Sequence, residues 1–294
     1  MKRTLVVMAA VAATFALLSL SAQQPPEAGK GGKGRVKAPR TKKAILAWAD
    51  TRNGIGQHDS VTHAVSVIER MGYESGLYDT YFRTDSHIIS KHPLKTNGEP
   101  ASGGPSLDSV DAIFFLGHRE IDMSASQKAE LLAFVHDEGK GFVGVPNATT
   151  AFESWPEFGE MLGARYDDHP WNVVKAGVII EDSAFPAMKH FPATFTLTDE
   201  MYQHKEFSRD KLRVLMRLDP TTLDMSNKNM RRKDGDFPQA WAKMYGKGRV
   251  FYSALGHATE YWDNPALQKM YFEAIKWSLG LSDADVTPRP LPTK

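Results

Sequence analysis

The chain has 294 residues, 41% of them hydrophobic, with 36 Lys/Arg against 35 Asp/Glu and no cysteine. The lack of Cys excludes disulfides, thiolate nucleophiles, Cys-ligated zinc and a lipid-modified N-terminal cysteine. The net charge of +1 hides an asymmetry: residues 1–43 carry nine Lys/Arg and one Glu, a net of +8, which leaves −7 for the remainder. A mildly acidic body argues against nucleic acid as its partner.

In chain order, Met-Lys-Arg is followed by an apolar run from Leu5 to Leu20 and by small residues up to Ala22. A run of this kind is short for a bilayer span and has the layout of a secretory signal peptide, residues 1–22, cut near Ala22. The expected location is therefore exported, periplasmic or secreted, with no stable membrane anchor after cleavage. Residues 23–42 are rich in Gly, Pro and Lys and poor in large apolar side chains, so a disordered basic linker is expected. One folded domain should span 43–282, with a loose tail over 283–294.

The domain opens on Ala44–Ala49, an apolar run suited to a strand buried on both faces. A loop carrying His58 leads into a helix on which Val61, Ala64, Val65, Ile68 and Met71 share one face. Gly72 should end that helix, with a second strand over Tyr73–Tyr78, centred on Glu74–Tyr78. The polar stretch Arg83–Ser106, including His87 and His92, has the composition of a lid or mobile loop. Ala112–Leu116 is the third apolar strand, and Gly117-His118 follows it. Ser124-Ala-Ser-Gln127 has the capping-box pattern of a helix start, and Gly139 is placed for a left-handed cap. Gly141–Val145 is the fourth strand, followed by a turn at Pro146-Asn147. These repeating units predict an α/β fold, a doubly wound and mostly parallel sheet like that of flavodoxin.

Further on, Trp155–Gly163 reads as a short helix and Arg165–Trp171 as a loop in which Pro170 holds His169 extended. Val173–Ile180, Phe195–Leu197 and Arg213–Leu218 should add antiparallel strands. Asp236–Pro265 predicts a hairpin: an edge segment at Gln239–Met244, a Gly246–Gly248 turn and an apolar run to Leu255, broken by Gly256-His257. Pro265, Leu267, Tyr271, Ala274, Ile275 and Ser278 mark a closing helix that stops at Gly280. The sequence holds no Gly-x-Ser-x-Gly, so a serine-hydrolase elbow has no support.

Three pieces carry a resemblance: GKGRVFYSALGH at Gly246–His257, FFLGH at Phe114–His118 and DEMY at Asp199–Tyr202. In order and spacing they resemble the ThuA-like (trehalose utilisation) family. The resemblance implies a fold like the class I glutamine amidotransferases without their chemistry, and a link to sugar metabolism. It singles out His118, Glu200, Tyr202 and His257. The His169-Pro170 pair is also typical of that family, whereas Pro146 stands where the family commonly has His.

In open α/β sheets, ligands bind outside the carboxyl ends of the strands. The residues expected there are Glu200, His257 and His118 as catalytic groups. His58, Asn147, His169, Tyr202, Trp171 and Trp262 are the expected substrate contacts, with the aromatic rings suited to stacking on a sugar face. Burial of Glu200 should raise its pKa toward neutrality and suit it to acid/base work beside His257. The first expectation is therefore hydrolysis or isomerisation of a carbohydrate or sugar derivative, a small sugar-like ligand being the partner. A metal enzyme with His118, His257 and Glu200 on Zn²⁺ or a similar divalent ion is the alternative, as is a carbohydrate-binding protein without catalysis.

Overall fold

The computed structural model describes residues 40–51, 58–95, 97–101 and 105–292. The expected signal peptide and most of the expected linker, residues 1–39, lie outside the described residues. Arg40 lies at the domain surface, its guanidinium bonded to the Ser109 carbonyl at 2.5 Å and to Asp111 at 3.2 Å.

The first half is built from β1 (Lys43–Trp48), α1 (Val61–Ser75), β2 (Tyr78–Arg83), β3 (Ala112–Phe115), α2 (Ala125–His136) and β4 (Gly141–Gly144). A short helix α3 (Pro156–Leu162) follows, then β5 (Arg165–Asp168), β6 (Val173–Ile180), β7 (Thr194–Glu200), β8 (Gln203–Lys205) and β9 (Arg213–Leu218). The hairpin β10 (Pro238–Tyr245) and β11 (Gly248–Ser253) precedes the last helix, α4 (Pro265–Ser278). Nine strands form one sheet in the order β2-β1-β3-β4-β11-β10-β9-β6-β7, and β5 pairs with β8 separately. From β2 to β11 all pairs are parallel, in the 2-1-3-4-5 order of flavodoxin-like sheets; from β11 to β7 all are antiparallel. The expected doubly wound sheet with added antiparallel strands is present.

The parallel strands are apolar because both faces are covered. Ile45 and Phe114 face one cluster with α1 and α4, while Leu46, Trp48 and Phe115 face the other with α2 and α3. Ser124 closes its capping box with Gln127, accepting from its backbone N–H at 3.2 Å while the Gln127 side chain accepts from Ser124 N–H at 3.0 Å. Trp48, Trp241 and Trp277 are all buried in the core, as their places within regular elements suggested.

Three expectations about elements need correction. Gly72 does not end α1; the helix continues to Ser75 and turns at Gly76, whose φ of 68° is left-handed. Strand β2 accordingly begins at Tyr78 rather than near Glu74. Gly72 is there for another reason: a Cβ on it would lie 2.4 Å from the Tyr78 ring and 2.7 Å from the Tyr78 carbonyl oxygen. Gly72→Ala is therefore expected to destabilise by about 1–3 kcal/mol in urea unfolding, because overpacking outweighs the roughly 1 kcal/mol gain in helix propensity. Second, the expected edge segment Gln239–Met244 is interior, with β9 and β11 on its two sides. Its buried amide and ammonium donors find backbone carbonyls: Gln239 donates to the Tyr202 carbonyl at 2.8 Å and Lys243 to the Glu160 carbonyl at 2.8 Å. Third, Arg165–Asp168 is a strand paired with β8.

The first part of the expected loose tail packs on the domain: Ala284 and Val286 touch the core, and Arg213 donates to the Thr287 carbonyl at 2.9 Å. Ile88 and Ile89, within the expected lid, are buried in the core cluster that holds Trp48 and Leu107. Among the described residues no helix is long and apolar enough to cross a membrane.

Candidate functional site

Strands β11 and β7 are four places apart in the sheet, about 19 Å in a flat sheet at some 4.8 Å per strand. Yet Asp199 on β7 accepts the Gly256 N–H at 2.7 Å and the His257 N–H at 3.2 Å, just past β11. The antiparallel half must therefore curl back until the carboxyl end of β7 meets those of the parallel strands. Asp199 is fully buried and also accepts the Glu200 N–H at 2.8 Å. Burial pushes its carboxyl up to about 7, against the pull of these N–H groups. Gly256 makes the approach possible with a φ of 120°, and a Cβ on it would press on the Trp262 indole at 3.1 Å.

Around this junction, loops and strand ends deliver their polar groups. His58 lies in the loop before α1, His169 follows β5, Glu200 is the last residue of β7 and His257 follows β11. Glu200 Oε2 is 3.0 Å from His257 Nδ1 and 4.0 Å from His58 Nε2, and its Oε1 is 3.6 Å from His169 Nε2. The rings of His58 and His257 meet edge-on at 4.3 Å. One ligand atom from each of His58, Glu200 and His257 lies within 4.8 Å of the others, the one such His/Asp/Glu set among the described residues.

The expected rise in the Glu200 pKa does not occur. Burial alone would push the carboxyl up, but the hydrogen bond and charge of His257, with His169 and the Tyr202 hydroxyl, hold it below its ordinary value. His257 is raised in return, chiefly by its hydrogen bond to Glu200. His58 is pushed down to about 4, by burial first and then by the charge of His257. At neutral pH the set is one carboxylate among imidazoles, with His58 neutral.

His118 has a different place from the one expected. Thr150 Oγ–H donates to the Asn147 carbonyl at 2.8 Å, so its oxygen accepts from His118 Nδ1–H at 2.9 Å. That tautomer leaves Nε2 to accept from Arg119 Nε–H at 3.0 Å. Burial, then the Arg119 charge, lowers this imidazole to about 4. Both nitrogens are engaged within these contacts, and the ring lies 6.2 Å from that of His58.

The expected aromatic contacts also change. Trp262 is buried, stacked on Tyr271 at 4.8 Å, and donates to the Gly256 carbonyl at 3.0 Å. Trp171 is buried against Phe237 and donates to the Asp224 carbonyl at 3.0 Å. Both indole N–H groups are committed to backbone carbonyls, and both rings are packed in the core. Asn147 is buried in the turn after β4, and Tyr202 is buried with its ring against Tyr166 at 5.0 Å. Sequence reasoning passed over Asp199, although it lies in the quoted DEMY, and over Arg119 and Tyr166.

A family model described as ThuA, trehalose utilisation, matches residues 44–278. The chain belongs to the ThuA family. Among solved structures, a ThuA-like protein of Bacteroides uniformis aligns with a TM-score of 0.62 at 19% identity, covering 83% of this chain and 95% of that one. A second, from Parabacteroides merdae, aligns with a TM-score of 0.61 at 15% identity over 86% of this chain and 95% of its own. At these identities they show this chain's fold. No curated relative matches the chain.

Proposed function

We propose that this ThuA-family protein is an enzyme acting on a carbohydrate or sugar derivative by hydrolysis or isomerisation, with a divalent transition metal held by His58, Glu200 and His257. The observation that carries the reading is the convergence of one ligand atom each from His58, His257 and Glu200 within 4.8 Å of one another. Two ligands each about 2.1 Å from a tetrahedral ion stand roughly 3.4 Å apart. The 3.0 and 4.0 Å separations lie on either side of that figure. Imidazole and carboxylate are the ligand types such ions take, and the family description supports the carbohydrate class. The ion would supply Lewis-acid polarisation of a carbonyl or hydroxyl. His169, the most exposed imidazole next to Glu200, would carry the proton to or from the substrate.

The 3.0 Å contact between Glu200 and His257 favours a second reading without metal. In that reading the carboxylate orients and charges His257, which does the proton work. Metal analysis of protein purified without chelator separates the two. The expected result is about one transition-metal ion per chain, lost in His58→Ala together with turnover on a panel of sugars and sugar derivatives. Full turnover by ion-free protein would remove the metal reading and leave the dyad.

A further inference from the structure

We propose that the substrate carries an oxyanion, a carboxylate or phosphate on a sugar-like body, and that Arg119 receives it. The proposal rests on the preceding reading only for where the reacting centre lies. Arg119 is an exposed residue held in the left-handed region, φ 61°, which an L side chain enters at a cost. Its carbonyl accepts the Phe152 N–H at 3.0 Å, which pins that backbone. Its Nε donates to His118, whose ring is fixed in turn through Thr150. The inner edge of the guanidinium is thus committed, and the two Nη groups remain as a planar fork of the kind that takes carboxylate or phosphate bidentately.

The choice of partner decides what the charge is available for. Among the described residues no Asp or Glu lies within ion-pair distance of Arg119. A carboxylate in the place of His118 would neutralise the guanidinium; a neutral imidazole orients it and leaves its charge unspent. The small cavity that Arg119 lines, about 30 Å³, is shared with Thr149, Thr150, Arg165, Tyr166 and Lys205, and Glu153 is the carboxylate among its lining residues. Glu153 pairs with Lys205 at 3.3 Å. Arg165 is buried and donates to the carbonyls of Ala151 and Trp155. Glu206 and Glu120 also act on Arg165, so the cations at this end other than Arg119 have carboxylates close by, and Arg119 is the one that faces none at ion-pair distance among the described residues. Tyr166, raised chiefly by burial and by Asp168, also feels the charges of Glu200 and Arg119. An anion on Arg119 lies one imidazole, that of His118, away from His58.

The test is calorimetric titration of the full chain with D-glucuronate, D-glucose 6-phosphate and D-glucose, at low and at high salt. At least one of the two acids is expected to bind at least tenfold more tightly than glucose, and which one does so separates carboxylate from phosphate. Arg119→Gln should weaken the acid by about 10- to 100-fold, the range for hydrogen bonds to a charged group, and leave glucose binding and the melting temperature unchanged. Equal binding of all three probes, no binding of either acid at millimolar concentration, or an Arg119→Gln variant that binds acid like the wild type would each overturn the proposal. Ion-free protein that still binds acid through Arg119 would remove the metal reading and leave this one intact. Metal-loaded protein indifferent to the acids would do the reverse.

Discussion

Glu200→Gln is expected to lower turnover by about 10²–10⁴-fold, the range for loss of one positioned group in the chemistry. The change keeps the shape of the side chain and the surroundings of Tyr202, but it removes the one anion among the three converging groups. Bound transition metal should fall with it, because two imidazoles and a neutral amide make a far weaker set. Stability should move by about 1–2 kcal/mol, since the half-buried amide can still accept from the Tyr202 hydroxyl but loses the charge of the pair with His257. Kinetics, metal content and urea unfolding on one preparation check all three. A variant with near wild-type turnover would reduce Glu200 to a structural partner of His257.

The second large effect concerns acid stability and lies under the cleft. His204 is fully buried among the Trp241, Tyr252 and Tyr202 rings. Burial, aided by the charge of Arg232, depresses its pKa to about 3. In the unfolded chain the imidazole returns to about 6.5. Between these values the unfolded state binds a proton that the folded state does not, so stability rises with pH there and falls as pH drops from 6.5 toward 3. One proton corresponds to about 1.4 kcal/mol per pH unit, a few kcal/mol across the window. His204→Phe should lose that component, giving a flatter stability curve than the wild type below pH 6.5 even if its plateau is lower. Parallel curves from urea unfolding at several pH values would show that His204 is not the titrating group.

The strands that were legible in the sequence are those buried on both faces. Ala44–Trp48, Ala112–Phe115 and Gly141–Gly144 need no partner information, because an unbroken apolar run bounded by turns has few other uses. Gly72 misled because its reason is a contact with Tyr78, which no local pattern shows. The interior place of β10 was not legible, since the carbonyl partners of Gln239 and Lys243, at Tyr202 and Glu160, come from distant segments. In the site, Glu200 and His257 were suggested by placement at strand ends together with the family resemblance. The same signal could not rank His118 against His58. That ranking depends on the Thr150 hydroxyl, 32 residues on, which fixes the His118 tautomer. Nor could it foresee that Glu200 would stay acidic while its neighbour Asp199 took the upward shift, because that depends on which carboxyl the imidazoles surround.

The position of β11 has a consequence for how the chain is made. It is the second-last regular element in sequence but sits at the middle of the nine-stranded sheet, bonded to β4 about a hundred residues earlier. Until residues 248–253 leave the ribosome, β4 has an open hydrogen-bonding edge, and β9 and β10 cannot join the parallel half. A nascent chain thus carries two half-sheets awaiting one strand, a late closure of high contact order that favours slow folding and pairing with the wrong chain. Shortening the chain by its last fifty residues would remove the keystone of the sheet, not merely its final helix.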